Sequence, residues 1–133
     1  MESPLLNKSL EFATQIVLFY EEYSKSKRDT TIAKQLLRSA TSVGANINEA
    51  IYGNSKPDFI SKLHISLKEV SESIYWLTLL RNTKLFEYDY DNLDKAFNYI
   101  LNSNYILNKY EKKEFVSILK QFKLIENNSV KIA

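Results

Sequence analysis

Cysteine is absent from the 133 residues, and glycine and proline occur only twice each. Without cysteine there is no disulfide framework and no thiolate chemistry. A β-rich chain needs a turn roughly every dozen residues, and this one lacks the residues that make them. Charge of one sign is also missing: 18 basic against 16 acidic residues leave +2, too little to name a partner. No apolar run of about 18 residues is present, so nothing is expected to span a membrane. The N-terminal MESPLLNKSLEFATQ has an acid at Glu2 and no uninterrupted apolar core, so a signal peptide is not expected and the cytoplasm is the expected compartment.

What is present is helical pattern. The apolar fraction is 44% and the charged fraction 26%, ordinary for a globular chain, and the length suits one domain over 1–133. Helices are expected over about 4–23, 30–52, 56–84 and 92–125. Ser3-Pro4 reads as N-cap and first turn, and Asp29 or Thr30 caps the second helix. Gly53-Asn54 reads as a left-handed stop, after which Ser55 caps the third helix with Asp58 three residues on. Asp91, with Asp94, reads as the start of the fourth, and Asn102, Ser103 and Asn104 weaken it midway.

Helix two turns Ile32, Leu36, Ala40, Val43, Ile47 and Ala50 inward, and helix three repeats Ile60, Leu63, Leu67, Val70, Ile74 and Leu77 as an a/d seam. Helix one has two adjacent apolar stripes: Leu6, Leu10, Ala13, Val17, Tyr20 and Phe12, Ile16, Phe19, Tyr23. That face is wider than one neighbour needs. Short loops between consecutive helices favour an all-α, antiparallel up-down four-helix bundle.

Catalytic constellations are scarce. A di-iron bundle needs Glu-x-x-His pairs, but the single histidine, His64, has Ser61 three residues before it. His64 has no evident serine partner for acyl transfer, and no glycine-rich phosphate loop exists. No enzyme activity, cofactor or metal is expected.

Two other patterns stand out. Gln35, Arg38, Ser42, Asn46 and Glu49 form a polar stripe at three- and four-residue spacing, with short residues where a solvated face normally carries Lys and Glu. Arg38 can balance Glu49, Glu69 or Glu72. The stripe reads as a polar helix or subunit contact, with plain surface as the alternative. The second pattern is basic. Lys25, Lys27, Arg28, Lys34 and Arg38 face a single Asp29. On the fourth helix Lys109, Lys112, Lys113, Lys120 and Lys123 share an arc of about 100°. Such clusters can follow a phosphate backbone, although any amphipathic helix carries lysines on its wet side.

The run QLLRSATSVGANINEA, followed by SLKEVSESIYWLTLL, resembles the bacterial four-helix-bundle proteins encoded in intervening sequences of 23S ribosomal RNA genes. Accessory variability proteins of diversity-generating retroelements are relatives of that family. Gln35, Arg38, Ser42, Asn46 and Glu49 match its Gln-x-x-Arg-x-x-x-Ser-x-x-x-Asn-x-x-Glu hallmark; Glu72, Tyr75, Trp76 and Leu77 match its second element. Ala50 and Gly44 stand where members often have Gly and Pro. The resemblance implies a ring-like homopentamer without enzymatic activity, with nucleic-acid binding proposed for the family. The expected partners are therefore copies of itself and RNA or a nucleoprotein. The alternative is a protein–protein scaffold that binds no nucleic acid.

Overall fold

The computed structural model describes residues 4–101. Among these the chain is all-α: α1 Pro4–Lys25, α2 Thr31–Ile51, α3 Lys56–Thr83 and α4 Tyr90–Leu101, with no strand. The expected helices are recovered to within two residues at each described end. The rest of the fourth helix, with its Asn102–Asn104 weak point, lies outside the described residues.

The start signals act largely as the side chains suggest. Ser55 Oγ accepts the Asp58 N–H at 3.2 Å, with proline in the first turn of α3. Thr30 occupies the cap position of α2 but makes no side-chain cap bond. Asp29 serves instead, its Oδ1 accepting from Thr31 N at 2.8 Å and Thr31 Oγ1 at 2.6 Å. Those two donors hold the exposed Asp29 carboxyl below its ordinary pKa.

Two expectations about helix ends are corrected. Gly53 does not adopt a left-handed conformation; its N–H caps Ala50 O, and α2 ends through Tyr52. The left-handed residues are Lys27, at φ 62°, and Lys84, at φ 55°, which closes α3. At α4 it is Asp89, not Asp91, that accepts the Asn92 N–H, at 3.1 Å. Asp91 lies within the first turn of α4, and it and Asp94 pair with Arg81.

The core is built from the expected a/d residues of α2 and α3 and one stripe of α1. Phe12, Ile16 and Phe19 are fully buried against Leu36, Val43, Leu67 and Val70. Ile32 and Ile60 are only half-buried, displaced by Ala33 and Phe59. α2 and α3 run antiparallel: Arg38 meets Glu72, Ser39 meets Ser73, Val43 meets Ser66 and Glu49 meets Lys62. α1 packs against α2 and α4, and α3 likewise packs against α2 and α4.

One end of the bundle is closed by aromatic rings. Phe19 sits within 4.8–5.9 Å, centroid to centroid, of Tyr23, Phe86, Tyr88 and Tyr90. The α3–α4 connection is therefore anchored by edge-on ring packing. Burial raises the hydroxyl pKa of Tyr88 and Tyr90.

Candidate functional site

The polar stripe of α2 lies along its seam with α3, and the chain assembles it unevenly. Arg38 is the hub. Its Nη2 donates to Glu72 Oε2, its Nη1 lies 3.7 Å from Glu69 Oε2, and its Nε donates to Gln35 Oε1 at 3.5 Å. Glu72 Oε2 also accepts the Trp76 indole N–H at 3.2 Å. One carboxylate thus ties an arginine on α2 to a tryptophan one turn along α3, leaving Trp76 half-buried with a fixed ring. Tyr75 packs edge-on against that ring at 4.9 Å and is itself 60% exposed.

Glu69 is the strained member. Its Oε2 is buried and accepts no hydrogen bond. Burial pushes its carboxyl above the ordinary range, Arg38 opposes the shift and neighbouring Glu72 adds to it.

The remaining stripe residues are not part of that cluster. Ser42 Oγ donates to Arg38 O at 2.9 Å and Asn46 Nδ2 to Ser42 O at 2.8 Å, both within α2. Glu49 is exposed and meets Lys62 at 3.4 Å, a surface pair worth about 0–1 kcal/mol. His64 is exposed on α3.

Beneath the stripe lies a layer of serines that the hydrophobic pattern does not single out. Ser73 Oγ bonds Ser39 Oγ at 2.7 Å and Ser66 Oγ donates to Val43 O at 2.8 Å. Ser66 and Ser73 are seven residues apart at inward positions, and that heptad spacing is the signal that marks them in the sequence. On the opposite flank of α2, a Cβ placed on Gly44 would come to 3.0 Å from Ser9 Oγ on α1. Gly44 thus serves the close approach of α1 within the chain.

The other stripe of α1 is divided: Leu6 and Tyr20 are half-buried against the core, while Leu10 and Val17 stay exposed. At about 100° per residue the order around α1, starting from core residues Phe12 and Ile16, is Ser9, Tyr20, Ala13, Leu6, Val17, Leu10. Ser9 marks the contact with α2, and Val17 and Leu10 lie about 80–100° further round, 47% and 63% exposed. The start of α4 approaches from the other flank, where Glu22 neighbours Tyr88. Leu10 and Val17 therefore face outward, away from α4's approach.

A family model described as 23S rRNA-intervening sequence protein matches residues 2–106. The chain belongs to that family. A solved structure from Bacteroides thetaiotaomicron is described as a protein with unknown function from the S23 ribosomal protein family. It is 38% identical with a TM-score of 0.70, the match covering 87% of this chain and 95% of that one. Among curated proteins none matches.

For this member of the intervening-sequence family, the candidate nucleic-acid residues divide in two. Lys109, Lys112, Lys113, Lys120 and Lys123 lie outside the described residues. Lys25, Lys27 and Arg28 are all exposed in the α1–α2 loop region. Lys25 is shared with Glu21 at 3.6 Å, and Lys27 projects from a left-handed turn. Asp29, the acid within the loop, spends its carboxylate on Thr31. Among the described residues no three His, Cys, Asp or Glu side chains group as a metal site, and no helix is long and apolar enough to cross a membrane.

Proposed function

We propose that this chain is a non-catalytic cytoplasmic bundle that acts as a closed homo-oligomer and, once assembled, binds RNA through its phosphate backbone. The observation that carries the reading is the exposed apolar edge of α1, where Leu10 is 63% and Val17 47% exposed. Contiguous apolar surface of this kind on a soluble chain marks an interaction face. Five subunits are expected from the family resemblance.

RNA enters through the charge of the α1–α2 loop. A single loop offers few phosphate contacts, but an oligomer repeats it, and repetition multiplies weak contacts into avidity. Because Lys27 and Arg28 come from a loop and carry no base-reading geometry, binding is backbone-driven and only loosely sequence-specific. The scaffold reading keeps the same assembly without RNA.

Light scattering at tens of micromolar, followed by gel shift with structured and single-stranded RNA at about 50 mM and higher salt, tests both parts. The expected result is a monodisperse oligomer whose RNA affinity falls steeply with salt. A monomer defeats the assembly reading. An oligomer that shifts no RNA leaves the scaffold in its place.

A further inference from the structure

Tyr75 is 60% exposed and yet held in place. Its ring packs edge-on against Trp76 at 4.9 Å, and Trp76 is fixed in turn by donating its indole N–H to Glu72. A ring ordered before any partner arrives loses little side-chain entropy when it is covered.

The surroundings of the ring decide which partner suits it. At about 100° per residue, Ser61, His64, Lys68, Ser71 and Asn82 all lie within about 40° of Tyr75 around α3. All but Ser71 are exposed. The three acids of α3 are elsewhere. Asp58, Glu69 and Glu72 sit about 60–120° round toward α2, where Arg38 engages the two glutamates. The outward face of α3 thus carries a cation, hydrogen-bonding groups and an exposed aromatic, with no carboxylate of its own helix for roughly 30 Å. The pairs Arg38–Glu72 and Ser39–Ser73 set Tyr75 level with residues 35–37 of α2. The basic loop Lys27–Arg28 therefore lies at the same end of the bundle, roughly 12 Å further along its axis.

Resting on the RNA reading above, we infer that the outward face of α3 is a base-stacking platform for unpaired RNA: a base lies on the Tyr75 ring while Lys68 neutralises a neighbouring phosphate. A duplex keeps its base faces inside the stack, so only an unpaired strand can use the ring. Every base has a π-face, so the choice follows pairing state rather than sequence. The loop by itself makes no such choice, because strand and duplex both present phosphates.

Trp76 is the one tryptophan of the chain and touches Tyr75, so its fluorescence reads this site directly. The probes are an unstructured RNA of about 12 nucleotides and duplex RNA of the same length, at about 50 mM salt. The single strand is expected to bind more tightly than the duplex and to quench Trp76. Tyr75→Ala should lower single-strand affinity about tenfold while leaving duplex affinity and the salt slope unchanged, and Tyr75→Phe should bind like wild type. Lys68→Gln should instead reduce the salt slope by about 0.7. Both positions are exposed, and circular dichroism melts establish that the variants fold; Tyr75→Leu, which also lacks the ring, replaces the alanine variant if that one does not. The inference is overturned if Tyr75→Ala binds the single strand like wild type, if it weakens strand and duplex alike, or if the strand binds without quenching Trp76. Any of these leaves RNA binding through the loop standing. A wild type that binds neither form removes the RNA reading as well, so the two failures are distinguishable.

Discussion

Glu69 shows how one half-buried side chain records two conflicting demands. It shares Arg38 with Glu72, and Glu72 holds the closer position and the indole N–H, so Glu69 is left with a buried oxygen that accepts nothing. Its carboxyl pKa is raised above 4.5, burial being the first cause. A raised folded pKa means that the folded chain holds this proton more tightly than the unfolded chain. Protonation therefore adds stability that is fully present below 4.5 and lost as pH rises through the folded value. Glu69→Gln abolishes the titration while keeping the shape. Melting curves of wild type and variant between about pH 4 and 7 should show the wild type losing ground to the variant as pH rises. A difference in melting temperature that stays flat over that range would contradict the burial argument.

At the scale of elements, two backbone positions set how helices end and how closely they approach. Lys84 closes α3 in the left-handed region, where a Cβ is unwelcome. Glycine removes that strain at the cost of extra freedom in the unfolded chain, so Lys84→Gly should raise stability by a few tenths to about 1 kcal/mol. Urea midpoints give the sign directly, and a drop would mean that the lysine side chain contributes more than its backbone strain costs. Gly44 poses the opposite problem. Alanine there regains about 1 kcal/mol of helix propensity but brings its Cβ to 3.0 Å from Ser9 Oγ, which already donates to Leu6 O at 2.7 Å, and to 3.5 Å from Ser9 Cβ, so the two effects nearly offset. Leucine must displace α1 itself and should cost about 1–3 kcal/mol. Equal stability for the alanine and leucine variants would show that α1 does not approach α2 this closely in solution.

For the whole molecule, assembly and RNA binding separate by their dependence on concentration and salt. A chain folded more stably as an oligomer melts at a higher temperature as its concentration rises, because mass action favours the folded assembly. The basic loop should leave that behaviour alone. Replacing Lys25, Lys27 and Arg28 with Gln should weaken RNA binding and flatten its salt dependence. The slope of log affinity against log salt should fall by about 0.7 for each phosphate of a single strand that is no longer neutralised. Unchanged slope together with unchanged assembly would move RNA binding away from the loop.

The helices and the family were legible in the residues alone. Few breakers, a/d periodicity and cap residues such as Ser55 act over a handful of neighbouring positions, so local physics is enough to read them. The Gln35-to-Glu49 spacing likewise put Arg38 on a face from which Glu69 and Glu72 were natural partners. How those groups are shared was left to the packed helices: Glu72 takes both Arg38 and Trp76, Glu49 goes to Lys62, and Ser42 and Asn46 turn back on their own helix. Packing also settled that Asp89 rather than Asp91 caps α4, that Gly44 serves α1, and which of the two α1 stripes is buried. These outcomes depend on competition between groups distant in sequence for the same partner or the same volume. Such competition has no period along the chain, and it is resolved only when the helices are in contact.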